Sequence, residues 1–352
     1  EIFRIRDVEI RNMQFTMNSC RAERNVFEGG IDWYDMDVTD IDLSASDLQF
    51  KAGIMSGDLE SLSFIEKSGY RMESLTGSAK VGRGRAIIND LHIDDPWSDV
   101  RLPLFMMSYR NAKAFSNYIE EVKMDGEIDR SRLDFTTISY FAPQLEGNGL
   151  IAEVSGSMSG YVNDFSFTDI AIDMEGGQFS GVASGRITGL PDINRTSIAA
   201  DLDNFRITSD GLSTFLNEWT KEGGLDLSRF AKGVTFTVNA EGSGPMNDME
   251  IEASVTSDSG DLDADVRISD ILKKDKPIGI SGIVHTKDLD LGDIIGAEIL
   301  GPATLKTGLR AHIGSGDMPS DVRFDSLMVD RLNIKDYDYT NIAAVGDISS
   351  NS

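Results

Sequence analysis

At 352 residues the chain exceeds the size at which a single hydrophobic core stops growing, so it is read as several units or as one architecture extended along a repeat. Its 59 acidic residues against 33 basic ones give a formal charge of −26, with no run of Lys and Arg long enough to track a phosphate backbone, which excludes nucleic acid as a partner. No stretch nears the roughly 18 consecutive apolar residues of a membrane-spanning helix, and no signal or transit segment opens the sequence. Beginning at Glu1 without a Met, it reads as a fragment or a processed product. Cys20 is the single cysteine, which excludes an intramolecular disulfide and a cysteine-based zinc site.

Along the chain the apolar residues fall with period two, which predicts an all-β fold with one dry and one wet face per strand. Residues 31 to 50 alternate Ile31, Trp33, Val38, Ile41, Leu43, Leu48 and Phe50 with polar positions, and shifts near Met36 and Asp40 predict bulges or bends. The alternation returns at Ala86 and Ile88, at Leu91 and Ile93, at Leu150, Ala152 and Val154, and at Phe165 and Phe167. It returns again at Val234, Phe236, Val238 and Ala240. Helical spacing predicts three short helices, Asn111 to Val122, Ser131 to Phe141 and Ser209 to Trp219. Ser209 is the expected N-cap of the last, with Leu212, Phe215, Leu216 and Trp219 as its apolar stripe. The expected sub-units are residues 1–143 with a helical insert at 109–122, a β-meander at 144–230 with a helix at 209–219, and a repeated meander at 231–352.

The chain repeats itself. Leu150, Ala152, Val154, Gly160, Asn163, Asp164, Phe165 and Phe167 map onto Val234, Phe236, Val238, Gly244, Asn247, Asp248, Met249 and Ile251 at a constant offset of 84 residues. After a slip of one residue, Gly177, Phe179, Gly181 and Ala183 map onto Gly260, Leu262, Ala264 and Val266. A weaker copy runs from Leu309 and Ala311 through Ser320, Asp321, Val322 and Phe324. Repeated meanders of this kind cover only their neighbours and grow in one direction.

Motifs for chemistry are weak. His92, His285 and His312 lie in separate predicted strands without ligand companions, so no metal and no cofactor is expected. The acidic runs Asp32 to Asp42 and Asp261 to Asp265 read as solvated strand faces, since Val266 stands where a calcium loop needs its glycine. Met158, between Gly156 and Gly160, replaces the serine of a nucleophile elbow. With no convergent polar set, the chain is not expected to be an enzyme, and no catalytic residue is assigned.

Three phrases carry a resemblance: Leu62-Ser63-Phe64-Ile65-Glu66-Lys67-Ser68-Gly69-Tyr70, Asp90-Leu91-His92-Ile93-Asp94-Asp95-Pro96-Trp97-Ser98 and Gly189-Leu190-Pro191-Asp192-Ile193. In order and spacing they resemble the AsmA-like proteins, specifically the TamB translocation and assembly modules. The resemblance implies an internal stretch of a periplasmic protein anchored in the inner membrane, whose long sheet curls into an elongated, repeating β-groove (a β-taco) of mostly antiparallel strands. It further implies conduction of phospholipids between inner and outer membranes and support of outer-membrane biogenesis beside a BamA-like barrel partner. Membrane contact would then come from parts of the parent protein outside this stretch. The alternative is a chaperone-like β-scaffold that assists outer-membrane protein assembly by strand addition.

For the groove reading, the residues of clearest alternation are the candidate lining: Ile88, Ile93, Leu102, Val154, Phe165, Phe167, Phe179, Phe236, Val238, Ile251 and Val266. Their partners would be phospholipid acyl chains. The acidity of the whole argues for solubility and against adsorption onto anionic membranes.

Overall fold

A computed structural model describes residues 2–18, 30–33, 35–147, 149–220, 231–271, 273, 276–313 and 321–349. Cys20 and Ser320, and the side chains of Phe215, Leu216 and Trp219, lie outside what is described. Among the described residues, nineteen strands form one antiparallel sheet that is not closed, and the few helices are short. The chain divides into two compact units, Glu1–Ala171 and Ile172–Ser352.

In the first unit the strands are β1 (Ile2–Asn18), β2 (Asp35–Lys51), β3 (Ile54–Glu66), β4 (Arg71–Met72), β5 (Ser74–Val81), β6 (Arg85–Asp94), β7 (Asp99–Ser108), β8 (Lys123–Asp134) and β9 (Ile151–Tyr161). Each pairs antiparallel with its predecessor in the chain, except that β4 and β5 both pair with β3. β10 (Asp164–Met174) pairs with β9 and crosses the division between the units. In the second unit β11 (Phe179–Thr188), β12 (Ser197–Thr208), β13 (Thr235–Pro245), β14 (Asp248–Ser257) and β15 (Asp261–Ser269) pair in chain order. They continue through β16 (Ile278–Asp290), β17 (Leu300–Ile313), β18 (Asp321–Ile334) and β19 (Tyr337–Ser349).

The repeat is structural. The hairpin β9–β10 corresponds to the hairpin β13–β14, and its Gly160 (φ 140°) corresponds to Gly244 (φ 131°). Both glycines sit under the next strand: a Cβ on Gly160 would stand 2.6 Å from the Cα of Phe165, and one on Gly244 would stand 2.5 Å from the carbonyl oxygen of Asp248. Positive φ together with this approach admits only glycine.

The bulges are regular. Asn12, Asp40, Asp47, Asp90, Asp169, Asn204, Asp288 and Asn341 all lie in strands with φ between 47° and 58°. Asp and Asn tolerate the left-handed region best among residues with a side chain. Each is the third residue of a four-residue pattern with apolar or Thr ends, such as Ile88-Asn89-Asp90-Leu91 or Leu202-Asp203-Asn204-Phe205. One left-handed residue slips the pleat by one, so positions three apart face the same side. The bulge expected at Asp40 is present as a register shift between Thr39 and Asp42, whereas near Met36 the ladder is regular and the second irregularity of β2 falls at Asp47.

The helices depart from expectation. Residues Ala112–Asn117 form a 3-10 helix, capped by Asn111 accepting from Lys113 N, and only Tyr118–Glu121 (α1) is α-helical. The helix expected from Ser131 starts at Phe135 (α2, Phe135–Phe141), because Ser131 and Leu133 pair with Val154 and Ala152 in the sheet and Asp134 caps by accepting from Thr136 N. α3 (Ser209–Thr220) contains Ser209 rather than being capped by it: the Thr208 hydroxyl accepts from Gly211 N, while Ser209 Oγ accepts from Gly233 N. α4 (Leu291–Ile295) ends at Gly296 in the left-handed region.

One end of the first unit is closed by aromatic rings. Tyr70 lies 5.5 Å from Tyr140 and 5.4 Å from Phe141, Trp97 lies 5.6 Å from Tyr140, and Trp33 lies 6.2 Å from Phe141. Beneath them the buried Asp95 accepts from Trp97 N, Ser98 N and the Thr137 hydroxyl, which satisfies a carboxylate held out of water. Burial, then Asp95, pushes the Tyr70 phenol above the ordinary tyrosine range.

Candidate functional site

The feature that sets this molecule apart is a sheet face without charge. In antiparallel register, directly paired residues point to the same side, so each row of pairs can be followed strand by strand. In the second unit one row runs Phe205, Val238, Val255, Leu262, Thr286, Leu305, Val329 and Ile342, from β12 to β19. The next runs Ala183, Leu202, Ala240, Ala253, Ala264, Val284, Thr307, Leu327 and Ala344, and a third runs Gly185, Ala200, Gly242, Ile251, Val266, Gly282, Leu309, Phe324 and Gly346.

These rows hold no ionisable side chain. Their two hydroxyls, Thr286 and Thr307, donate to the carbonyls of Ala303 and Gly308 and leave no polar group free. In the middle of the unit the rows are half-buried rather than buried, at Val238, Ala240, Ile251, Ala253, Ala264 and Val266 alike. Neighbouring strands flank these side chains without covering them. Nine strands at about 4.8 Å spacing make each full row about 38 Å long.

The first unit has the same construction. One row runs Phe3, Phe50, Met55, Val81, Ala86, Met107, Met124 and Gly160, and the next runs Gly57, Ala79, Ile88, Phe105, Gly126 and Met158. A Cβ on Gly126 would meet Leu102 Cδ2 and Phe105 Cδ2, both at 3.4 Å, so side chains on either side of the Asp90 bulge share this face.

Of the candidate lining residues in the first unit, Ile88 lies in the second row opposite Phe105, and Leu102 pairs with Leu91. Ile93 pairs with Val100 near the aromatic end, and Val154 pairs with Ser131. Phe165 lies across from Gly160, with Phe167 two residues along the same strand. In the second unit Phe179, Ile207 and Phe236 form one row, Val238 sits in the next, and Ile251 and Val266 are direct partners. Phe179 also packs edge-on against Phe205 at 5.0 Å.

The candidate lining omits the small residues Ala183, Ala240, Ala253 and Ala264, which share one row although none has a bulky side chain to mark it. Their signal was the same alternation, read for Ala as well as for Phe and Val.

The opposite face is polar. Asp201, Glu241, Glu252 and Asp265 are direct partners in sequence across β12 to β15. They line a shallow trough that also holds Asp203, Asp263, His285 and Lys306. In the first unit His92 Nε2 lies 3.0 Å from Asp99 Oδ1, and Arg101 pairs with the same carboxylate.

The phrases that carry the resemblance fall at turns and ends of strands. Glu66 is buried and accepts from Asp37 N and Ser68 N, Asp95 anchors the aromatic end, and Leu190–Pro191 is a cis peptide in the turn before Ser197. No family model, curated protein or solved structure matches the chain.

Proposed function

We propose that this chain is a non-catalytic lipid-conducting segment of the bacterial envelope, on whose uncharged sheet face phospholipid acyl chains lie across the strands while their headgroups stay in water. The observation that carries the reading is the set of rows from β11 to β19 without an ionisable group. Exposing an acyl chain to water costs about 0.8 kcal/mol per methylene, roughly 12 kcal/mol for sixteen carbons. A path of about 38 Å exceeds the roughly 30 Å of a whole bilayer core, so a chain has room to shift along it without leaving apolar contact. Dispersion contacts have no direction, and sliding from one strand's side chains to the next breaks no specific bond.

The resemblance to TamB modules supports the setting: an inner-membrane-anchored parent in the periplasm, working beside a BamA-like barrel. The test is lipid extraction and mass spectrometry on the detergent-free purified chain, beside an equally acidic β-sandwich handled identically. Phospholipid at a reproducible, near-integer ratio, lost in Val238→Asp, is the expected result. Lipid no higher than in the control overturns the reading and favours the strand-adding scaffold.

A further inference from the structure

The bare end of the first unit differs from everything around it. The row Phe50, Met55, Val81, Ala86 and Met107 lies at the end of the sheet where the β2–β3 and β5–β6 turns and the exit of β7 come together. Tyr109 holds them, donating from its hydroxyl to the Gly82 carbonyl (2.8 Å) and from its backbone N to that of Gly84 (3.0 Å). Arg83 Nε lies 3.6 Å from the position of a Cβ on Gly53.

About one residue in six of the whole chain is acidic, yet residues 49–57, 79–88 and 106–119 contain no Asp or Glu. They contain Lys51, Lys80, Arg83, Arg85, Arg110 and Lys113, all exposed and none ion-paired among the described residues. The acids bordering these segments include Asp58, which accepts from the Ser78 hydroxyl, Asp125, which feels Arg85 but is bound by Lys123, and Glu120 and Glu121 at the end of α1. Between the cations stand large apolar side chains that a water-facing rim has no reason to show: Phe50 at 42% exposure, Ile54 at 39%, Met55 at 40% and Phe115 at 43%.

We propose that this rim docks the first unit onto an anionic phospholipid bilayer, with Lys and Arg at the phosphate level and Phe50, Ile54, Met55 and Phe115 in the interface. The pairing of cations with exposed apolar tips is what an interfacial membrane site needs, since neither alone holds a protein at the surface. A nucleic-acid site would use the cations and leave the apolar tips without a role. At the opposite end of the same sheet the cations Lys67, Arg101 and Arg132 are paired with Asp35, Asp99 and Asp134, so the rim is the end with the larger set of unpaired cations to offer a lipid phosphate. Net charge does not forbid it, because charges more than a Debye length of about 8 Å from the lipid are screened.

This inference does not rest on the acyl-chain reading and is read out separately. The full chain is sedimented with vesicles of pure phosphatidylglycerol and of pure phosphatidylcholine. Binding to the first and not to the second is expected. Lys51→Glu/Arg83→Glu/Arg110→Glu should weaken it by more than a hundredfold, at about fivefold for each charge removed. The matched variant Lys232→Glu/Lys276→Glu/Lys287→Glu, with the same net charge on the second unit, should bind as the parent does. Ile54→Ser/Met55→Ser, at unchanged net charge, should also weaken binding, by about tenfold or more. No binding to phosphatidylglycerol, equal loss in both charge variants, or equally tight binding of duplex DNA would overturn the proposal.

Discussion

On one side of β12 to β15 stand Leu202, Ala240, Ala253 and Ala264, and one position along the same strands, on the other side, stand Asp201, Glu241, Glu252 and Asp265. Four carboxylates in adjacent register repel one another, and water with its counter-ions makes that tolerable. No comparable tolerance exists on the other side. There a single charge would sit among half-buried alkyl groups, and the chain places none across nine strands. The polar face only has to be wet, while the apolar face has to be unbroken, and the alternation that separates them depends on glycines and left-handed bulges holding the register.

The comparison breaks most completely where register is set. Gly282 has φ 154°, and a Cβ there would lie 2.1 Å from the Asp265 carbonyl oxygen, so Gly282→Ala should destabilise the second unit by about 3 kcal/mol or more. Urea denaturation followed by tryptophan fluorescence and circular dichroism checks this, and a change below about 0.5 kcal/mol would contradict the close packing of β15 against β16. Val238→Asp breaks the uncharged face without moving the backbone. Its expected cost is about 2 kcal/mol, together with loss of lipid photocrosslinking, and crosslinking at the parent's level would remove Val238 from the lining.

A smaller effect is expected at the closed end of the first unit. Tyr70 has its phenol pushed up by burial, then by Asp95, so its folded pKa lies above the unfolded value of about 10. Its contribution is therefore complete below about pH 10 and is lost as pH rises beyond that. Tyr70→Phe should cost about 1 kcal/mol at neutral pH and flatten the alkaline fall in stability, read from urea midpoints measured as a function of pH. The smallest change should come from the polar face. Glu252→Gln removes the middle of the carboxylate row and should stabilise by about 0.5 kcal/mol at low salt, with the gain vanishing as salt is added.

Much of this was legible in the chain. The all-β class and the common face of Phe236, Val238 and Ala240 follow from period two, because a strand's side chains alternate whatever their tertiary surroundings, whereas the pairing of Ile251 with Val266 does not. The helix expected from Ser131 begins only at Phe135, because Ser131 and Leu133, two residues apart, share a strand face and pair with Val154 and Ala152 of β9. A lone Ser before an apolar stripe marks a helix start only to within a residue, and here it is the Thr208 hydroxyl, not that of Ser209, that accepts from a first-turn N–H, that of Gly211.

By itself the sequence determined which residues can share a face, since alternation and the recurring Asp and Asn of the bulges are local properties of the backbone. It also determined the overall acidity, which a sum over residues fixes without regard to place. Only tertiary structure decided which strands became neighbours. Strand pairing therefore turned separate apolar runs into rows about 38 Å long. It also gathered Lys51, Arg83 and Arg110, each isolated in the chain by about thirty residues, onto one rim of an otherwise acidic protein.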